Sequence, residues 1–317
     1  MIDISFFGIN EYGIKFIKYL IENKDKFNIK LVSGKYKKRN HSDELEIELK
    51  EICKKNNLNY VGNIDINTHI ETFNILKKTE LAILGGYDKI VKDNIINIDG
   101  LKIINTHLGV IPYNRGCNPT IWSILRDEIP HGFTTYLVNK NIDFGKILDI
   151  YEYRNDNITS RDLYDELVNE SVKRFDKIIL KIHNNEYINI DEKLKDKRYY
   201  SKQGMPNDGY INWSWDVKNI KKFSNALVFP PYKPCKTRLN NEDIYLEVLD
   251  YKKDEKSNEY LNGEVTYIDK LNIYISSNNS IIICKLFENY EIKIGDIFES
   301  MIGAIHPIDK DFNFQNK

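Results

Sequence analysis

The chain is short of most residues and patterns that announce a special chemistry. It has four cysteines in 317 residues, at Cys53, Cys117, Cys235 and Cys284. None forms a Cys-x-x-Cys pair and none has a histidine at ligand-like spacing. This excludes a structural zinc site and a disulfide framework, and reduced thiols fit best. No apolar run approaches the ~20 residues of a membrane span. The opening Met1–Gly13 is too polar for a secretory leader, so a cytoplasmic location is the expectation. The formal net charge is only -1, too little for a bulk electrostatic grip on a polyanion. There is no Gly-x-Gly-x-x-Gly near the N-terminus, which counts against a nicotinamide dinucleotide.

What is present is a substantial apolar fraction, 41% of residues, enough to fill the cores of two domains. Ile2 to Phe7 alternates and stops at Gly8, which reads as a strand. Ile14, Phe16, Ile17, Leu20 and Ile21 then recur at helical spacing, and Ile29 to Ser33 reads as a second strand. This β-α-β opening implies a Rossmann-like parallel sheet flanked by helices. Helices are expected over 44–56, 120–126 and 160–183. Strands are expected at Tyr60-Val61, Leu81–Leu84, Leu101–Asn105, Gly132–Val138 and Lys146–Tyr151. The stretch around Gly204, Pro206, Asn207 and Asp208 has linker composition. Beyond it, a helix over 217–227 precedes short strand-like pieces at 244–249, 263–268, 273–276 and 281–286, the spacing of a small barrel or sandwich. The division expected is 1–195 for a catalytic α/β domain, 196–208 for a linker, and 209–317 for a smaller β-rich domain.

Asn105-Thr106-His107 closes one of these strands. Pro112-Tyr113-Asn114-Arg115-Gly116 follows it, and Ile142-Asp143-Phe144-Gly145 comes after the next strand. An amide, an imidazole and a carboxylate are therefore close in sequence, at the carboxyl end of a strand, where open α/β sheets bind ligands. These groups suit transfer of an acyl unit to an amine. The asparagine offers a neutral donor for a developing oxyanion. The histidine takes a proton and later returns one. The aspartate selects the imidazole tautomer and stabilises its cation. Each alone has a plainer reading: a turn asparagine, a satisfied histidine, a loop aspartate. His41, His69, His131, His183 and His306 lie outside the pattern and take that reading.

The run Ile104 to Leu148 resembles the active-site segment of the formyltransferases that use N10-formyltetrahydrofolate. That family includes enzymes acting on methionyl-tRNA, on glycinamide ribonucleotide and on nucleotide sugars. The resemblance implies catalysis by Asn105, His107 and Asp143. It implies N10-formyltetrahydrofolate as co-substrate, with contacts at Lys89, Ile90, Val91, Val110, Ile111, Asn139 and Ile142, and no metal. It implies acceptor contacts at Asn10 and Arg115. Asp208, Asn212-Trp213-Ser214 and Pro230-Pro231-Tyr232 resemble the C-terminal domain of the family, which has an OB-like barrel. Two departures stand out. Gly109-Val110-Ile111-Pro112 replaces the usual Ser-Leu-Leu-Pro, and Cys117 stands where the enzyme acting on aminoarabinose has arginine.

The acceptor expected is an amine on a nucleotide-linked amino sugar, such as a 4-amino-4,6-dideoxyhexose for surface polysaccharide. The alternative is methionyl-tRNA. A tRNA enzyme needs lysine and arginine to hold a long polyanion, yet residues 200–317 carry 15 Lys and Arg against 17 Asp and Glu. The one dense basic run, Lys35 to Arg39, reads as a solvated loop. The 21 tyrosines include surfaces suited to bases and sugars, although most serve packing. A non-catalytic binding module and a formyltetrahydrofolate hydrolase are the remaining readings. A homodimer stays open, and neither a membrane nor nucleic acid is expected as partner.

Overall fold

Ile2–Phe7 forms the first strand, β1, of a computed structural model that describes residues 1–8, 10–34, 42–62, 64–87, 89–126, 129–190, 198–200 and 205–301. The Lys35 to Arg39 run lies outside these residues, as do 196–197 and 201–204 of the expected linker. The elements then run α1 (Glu11–Glu22), β2 (Phe27–Ser33), α2 (Ser42–Lys55), β3 (Tyr60–Val61), α3 (Ile70–Leu76), β4 (Leu81–Leu84), α4 (Asp93–Ile96), β5 (Lys102–His107), β6 (Arg115–Gly116), α5 (Pro119–Leu125), β7 (His131–Leu137), β8 (Lys146–Tyr153), α6 (Ser160–Lys173), α7 (Phe175–Asn184), β9 (Tyr199–Tyr200), α8 (Val217–Leu227), β10 (Lys236–Leu239), β11 (Glu242–Lys253), β12 (Val265–Ile268), β13 (Ile273–Ser277) and β14 (Ser280–Leu286).

Two compact units share the chain. The first comprises Met1–Arg115, Gly132–Glu152 and Asp165–Arg198; the second comprises Gly116–His131, Tyr153–Tyr164 and Tyr199–Lys317.

In the first unit, seven strands make one sheet in the order β3-β2-β1-β4-β5-β7-β8. β1 runs parallel to β2 and β4, and β4 parallel to β5. β7 turns back antiparallel to β5. Central strands buried on both faces need continuous apolar side chains, and Leu81, Ala82, Ile83 and Leu84 are all buried. Helix α1 begins where Asn10 caps it, its side chain accepting from the Gly13 amide at 2.8 Å. The buried positions Tyr12, Ile14, Phe16, Ile17 and Leu20 form its apolar stripe. Each such burial is worth about 1.5–3 kcal/mol for a large side chain.

The turns after β1 and β4 press against each other. A Cβ on Gly8 (φ +130°) would come within 2.3 Å of the Gly85 carbonyl oxygen, so only glycine permits this approach.

The long helix expected over 160–183 is two helices. Arg174 (φ -87°, ψ 1°) interrupts it, and its guanidinium donates to Asp149 at 2.6 and 3.2 Å. The break re-aims the chain so that Phe175 meets Phe16 at 4.7 Å and Phe27 at 5.6 Å between ring centroids. Periodicity alone does not report such a break.

In the second unit, five antiparallel strands curl in the order β10-β11-β14-β13-β12. Residues beyond β14 close both edges. The Glu299 amide donates to the Arg238 carbonyl on β10, and the Phe298 amide to the Gly263 carbonyl just before β12. Trp213 is fully buried, stacks on Phe298, and donates its indole N–H to Thr237 Oγ1 at 3.0 Å. Strand β10 was not expected from sequence, because Lys236 and Arg238 alternate with only two inward residues, Thr237 and Leu239.

Candidate active site

β5 starts one residue later than expected and runs two residues further, so it carries both Asn105 and His107 within regular strand. Two residues apart on a strand, they face the same side of the sheet. The antiparallel partner β7 sets Tyr136 directly opposite Asn105, Thr135 opposite Thr106, and Thr134 opposite His107. Cross-strand partners share a face. Asn105, His107, Tyr136 and Thr134 therefore lie on one side of the sheet. Thr106 and Thr135 bond to each other at 2.9 Å on the other.

Asp143 arrives from the loop between β7 and β8 in a left-handed conformation (φ +48°), which costs free energy unless contacts hold it. Two kinds of contact do so. Its Oδ1 accepts from the Tyr136 hydroxyl at 2.8 Å. On the flanking residues, the Arg115 guanidinium donates to the Ile142 carbonyl and lies 4.9 Å from the Phe144 ring centroid. Gly145 follows, where a Cβ would meet the Leu137 carbonyl oxygen at 1.7 Å.

The three expected catalytic residues are brought together through Tyr136. Asn105 Nδ2 donates to Tyr136 Oη at 2.9 Å, and the same hydroxyl donates to Asp143. Asp143 Oδ2 faces His107 Nδ1 at 3.8 Å, too far for a hydrogen bond but close for a charge. His107 and Asp143 are both 8% exposed, so their charges are weakly screened. The other imidazole nitrogen, Nε2, lies 2.7 Å from the Asn114 carbonyl oxygen. A carbonyl only accepts, so Nε2 carries the hydrogen and Nδ1 is the basic atom of the neutral ring. The tautomer is thus selected by the Asn114 carbonyl, and not by Asp143, the group that the sequence pattern suggests for that task. Burial, and then the charge of Asp143, push the Tyr136 hydroxyl well above its ordinary pKa of 10.

Thr134 is a second residue that the sequence reading passed over. Fully buried, it accepts from the Ile111 amide at 3.0 Å and donates to the Gly109 carbonyl at 3.1 Å. It fastens the loop that leaves β5. Within that loop Val110 and Ile111 are each 2% exposed, and the Val110 carbonyl accepts from the Asn114 amide.

The other expected contacts lie outside the strands of the seven-stranded sheet. Lys89 pairs with Asp65 at 2.6 Å, which holds that carboxyl below the usual carboxylate range. Ile90 is 61% exposed, while Val91 is buried with Leu84, Leu101 and Ile103. Asn139 spans its own turn, donating to the Phe144 carbonyl at 2.9 Å and accepting from the Asn141 amide at 2.8 Å. Ile142 is 40% exposed. Asn10 serves as the α1 cap, and Arg115 braces the Asp143 loop as described. Of the other histidines, His69 caps α3 by accepting from the Thr72 amide. Among the described residues, no cluster of histidine, cysteine, aspartate or glutamate has metal-binding geometry, and no helix is long and apolar enough to cross a membrane.

Residues 18–182 match the model of the formyl transferase family, and residues 205–297 match that of the formyl transferase C-terminal domain. A methionyl-tRNA formyltransferase from Sulfurihydrogenibium sp. is 27% identical over 320 aligned positions, covering 93% of this chain and 99% of that protein. A GDP-perosamine N-formyltransferase from Brucella melitensis is 24% identical, over 54% of this chain and 65% of its own length. The crystal structure of an N-formyltransferase from Helicobacter canadensis, in complex with folinic acid and dTDP-3-aminofucose, superposes with a TM-score of 0.65 and 21% identity, covering 90% of this chain and all of that one.

Proposed function

The chain belongs to the formyl transferase family, whose members are enzymes that move formyl groups, and from that premise we propose that it formylates the amine of a nucleotide-linked amino sugar, with N10-formyltetrahydrofolate as donor. The observation that carries the chemistry is the largely buried link Asn105–Tyr136–Asp143 beside His107.

Asn105 Nδ2 has two N–H groups. One is spent on Tyr136, and the other can hold negative charge on a carbonyl oxygen. His107 Nδ1 takes the proton that an attacking amine must lose, and can hand it on to a leaving nitrogen. The proton then sits beside the Asp143 carboxylate, which stabilises the imidazolium without itself being protonated. Low exposure strengthens each of these interactions by excluding water.

The loops suit a flat ring with polar edges. Ile90 and Ile142 offer exposed apolar side chains, and the remaining folate contacts are proposed at Lys89, Val91, Val110, Ile111 and Asn139. When bound there, the folate supplies a one-carbon unit at the oxidation level of formate. Asn10 and Arg115 are proposed to border the acceptor, Arg115 while bracing the Asp143 loop.

The near-neutral charge of the chain supports a small acceptor, as does the likeness to an N-formyltransferase solved with dTDP-3-aminofucose. One observation favours methionyl-tRNA instead: the full-length likeness to a methionyl-tRNA formyltransferase. The deciding experiment incubates purified protein with N10-formyltetrahydrofolate and, separately, a panel of dTDP-, UDP- and GDP-linked amino sugars and charged initiator tRNA. Mass spectrometry identifies the acceptor that gains a formyl group. A formylated nucleotide sugar is expected; formylation of the tRNA alone would overturn this reading in favour of the second.

A further inference from the structure

We propose that Tyr136 is a positioning residue of the formyl-transfer site, holding the Asn105 amide in one of its two orientations and tying that orientation to the charge on Asp143. The inference rests on the reading of Asn105 as the oxyanion donor.

A tyrosine hydroxyl has one hydrogen to give. An ionised carboxylate only accepts, so that hydrogen points to Asp143 Oδ1. The lone pairs of Oη are left to accept, and they take a hydrogen from Asn105 Nδ2. All donors in the chain therefore run one way, from amide to phenol to carboxylate, and end on the anion. Bonds aligned in this way polarise one another. The amide is turned with its Nδ2 toward Tyr136, which fixes where its remaining N–H points. An asparagine without such a partner turns over easily, because its two ends are nearly the same size. The end with oxygen would then face the substrate, repelling the charge that the site has to hold.

The link also transmits charge state. A protonated Asp143 could donate to Oη. The phenol hydrogen would swing toward Asn105, and the amide would reverse to accept it. His107 Nδ1 lies 3.8 Å from Asp143, and the positive charge of Arg115 acts on the Tyr136 hydroxyl. The register makes the link possible, since Tyr136 is the direct cross-strand partner of Asn105.

The test compares wild type with Tyr136→Phe and Tyr136→Gln, using N10-formyltetrahydrofolate and whichever acceptor the panel identifies. Phenylalanine keeps the ring and removes the hydroxyl. Glutamine restores one donor and one acceptor. The expected result is a kcat at least tenfold lower in Tyr136→Phe, with KM for the folate within threefold of wild type, and a kcat at least threefold higher in Tyr136→Gln than in Tyr136→Phe. A kcat within threefold of wild type in Tyr136→Phe, a loss carried by KM, or a glutamine variant no better than the phenylalanine variant would overturn the proposal.

A second measurement needs neither variant nor acceptor. In wild-type protein labelled with 15N-asparagine, the Asn105 side-chain NH2 signals should move together with the titration of Asp143. Signals that stay still while the Asp143 carboxyl carbon titrates would sink the link. Absence of any formylated acceptor would count against the proposed acceptor only, and the NMR result would still decide the role of Tyr136.

Discussion

Asn105 and Tyr136 face each other across β5 and β7, and the amide of one donates to the hydroxyl of the other at 2.9 Å. That single pairing places the amide beside the aspartate loop, since the same hydroxyl reaches Asp143 seven residues further on.

Removing the amide tests the oxyanion role directly. Asn105→Ala should lower kcat by on the order of a hundred- to a thousandfold, as loss of one such donor does elsewhere. Binding of folinic acid, followed by calorimetry, should change much less. Unaltered turnover would rule the donor role out.

Thr134 tests the loop anchor. Thr134→Val keeps the shape and leaves the buried Ile111 amide and Gly109 carbonyl each without this hydroxyl. Loss of about 1–3 kcal/mol of stability is expected, the cost of unsatisfied buried groups. Weaker folinic acid binding should accompany it if the 109–111 loop touches the pterin. Chemical denaturation and calorimetry read the two effects separately.

Asp149 predicts a pH dependence of stability. It is 3% exposed. Burial opposes its charge, but hydrogen bonds from Arg174 and Lys177 outweigh burial and hold its carboxyl below the usual value. A group with a depressed folded pKa adds stability above its unfolded pKa of about 3.9, and that stability is lost as pH falls through the folded value. Asp149→Asn should therefore cost on the order of 3 kcal/mol at pH 7. The unfolding curves of variant and wild type should approach each other below about pH 4. A gap that persists undiminished at pH 3 would contradict this account.

Tyr136 predicts a silence. Because burial and the Asp143 charge raise its hydroxyl well above 10, it stays protonated across the alkaline range in which ordinary tyrosines ionise. The absorbance titration at 295 nm should be the same for wild type and Tyr136→Phe up to pH 10.5, near the ordinary tyrosine pKa of about 10. A missing ionisation in the variant below that pH would show the hydroxyl to be ordinary.

The legible parts of this molecule were those carried by local pattern. Asn105 and His107 could be placed on one face because a strand repeats every two residues, and helix Val217–Leu227 was bounded by its own apolar spacing. Tyr136 and Thr134 could not be singled out, since their importance lies in the register between β5 and β7. A tyrosine and a threonine in an apolar strand look like ordinary strand formers. The same holds for α5. Its sequence announces a helix after Pro119, but nothing local says that Thr120 bonds to Ser160 forty residues away, at 2.7 Å. Arg174, where α6 gives way to α7, bonds to Asp149, again a partner remote in sequence.

The segment Asp296–Glu299 reaches across to both β10 and the start of β12. Sheets with bare rims recruit other chains by strand addition, the usual first step toward aggregates. A chain cut after Lys293 would lose this clasp and uncover two rows of main-chain groups at once. Such a product should come out of solution as oligomers while the intact chain stays dispersed, a contrast that light scattering would read without any substrate.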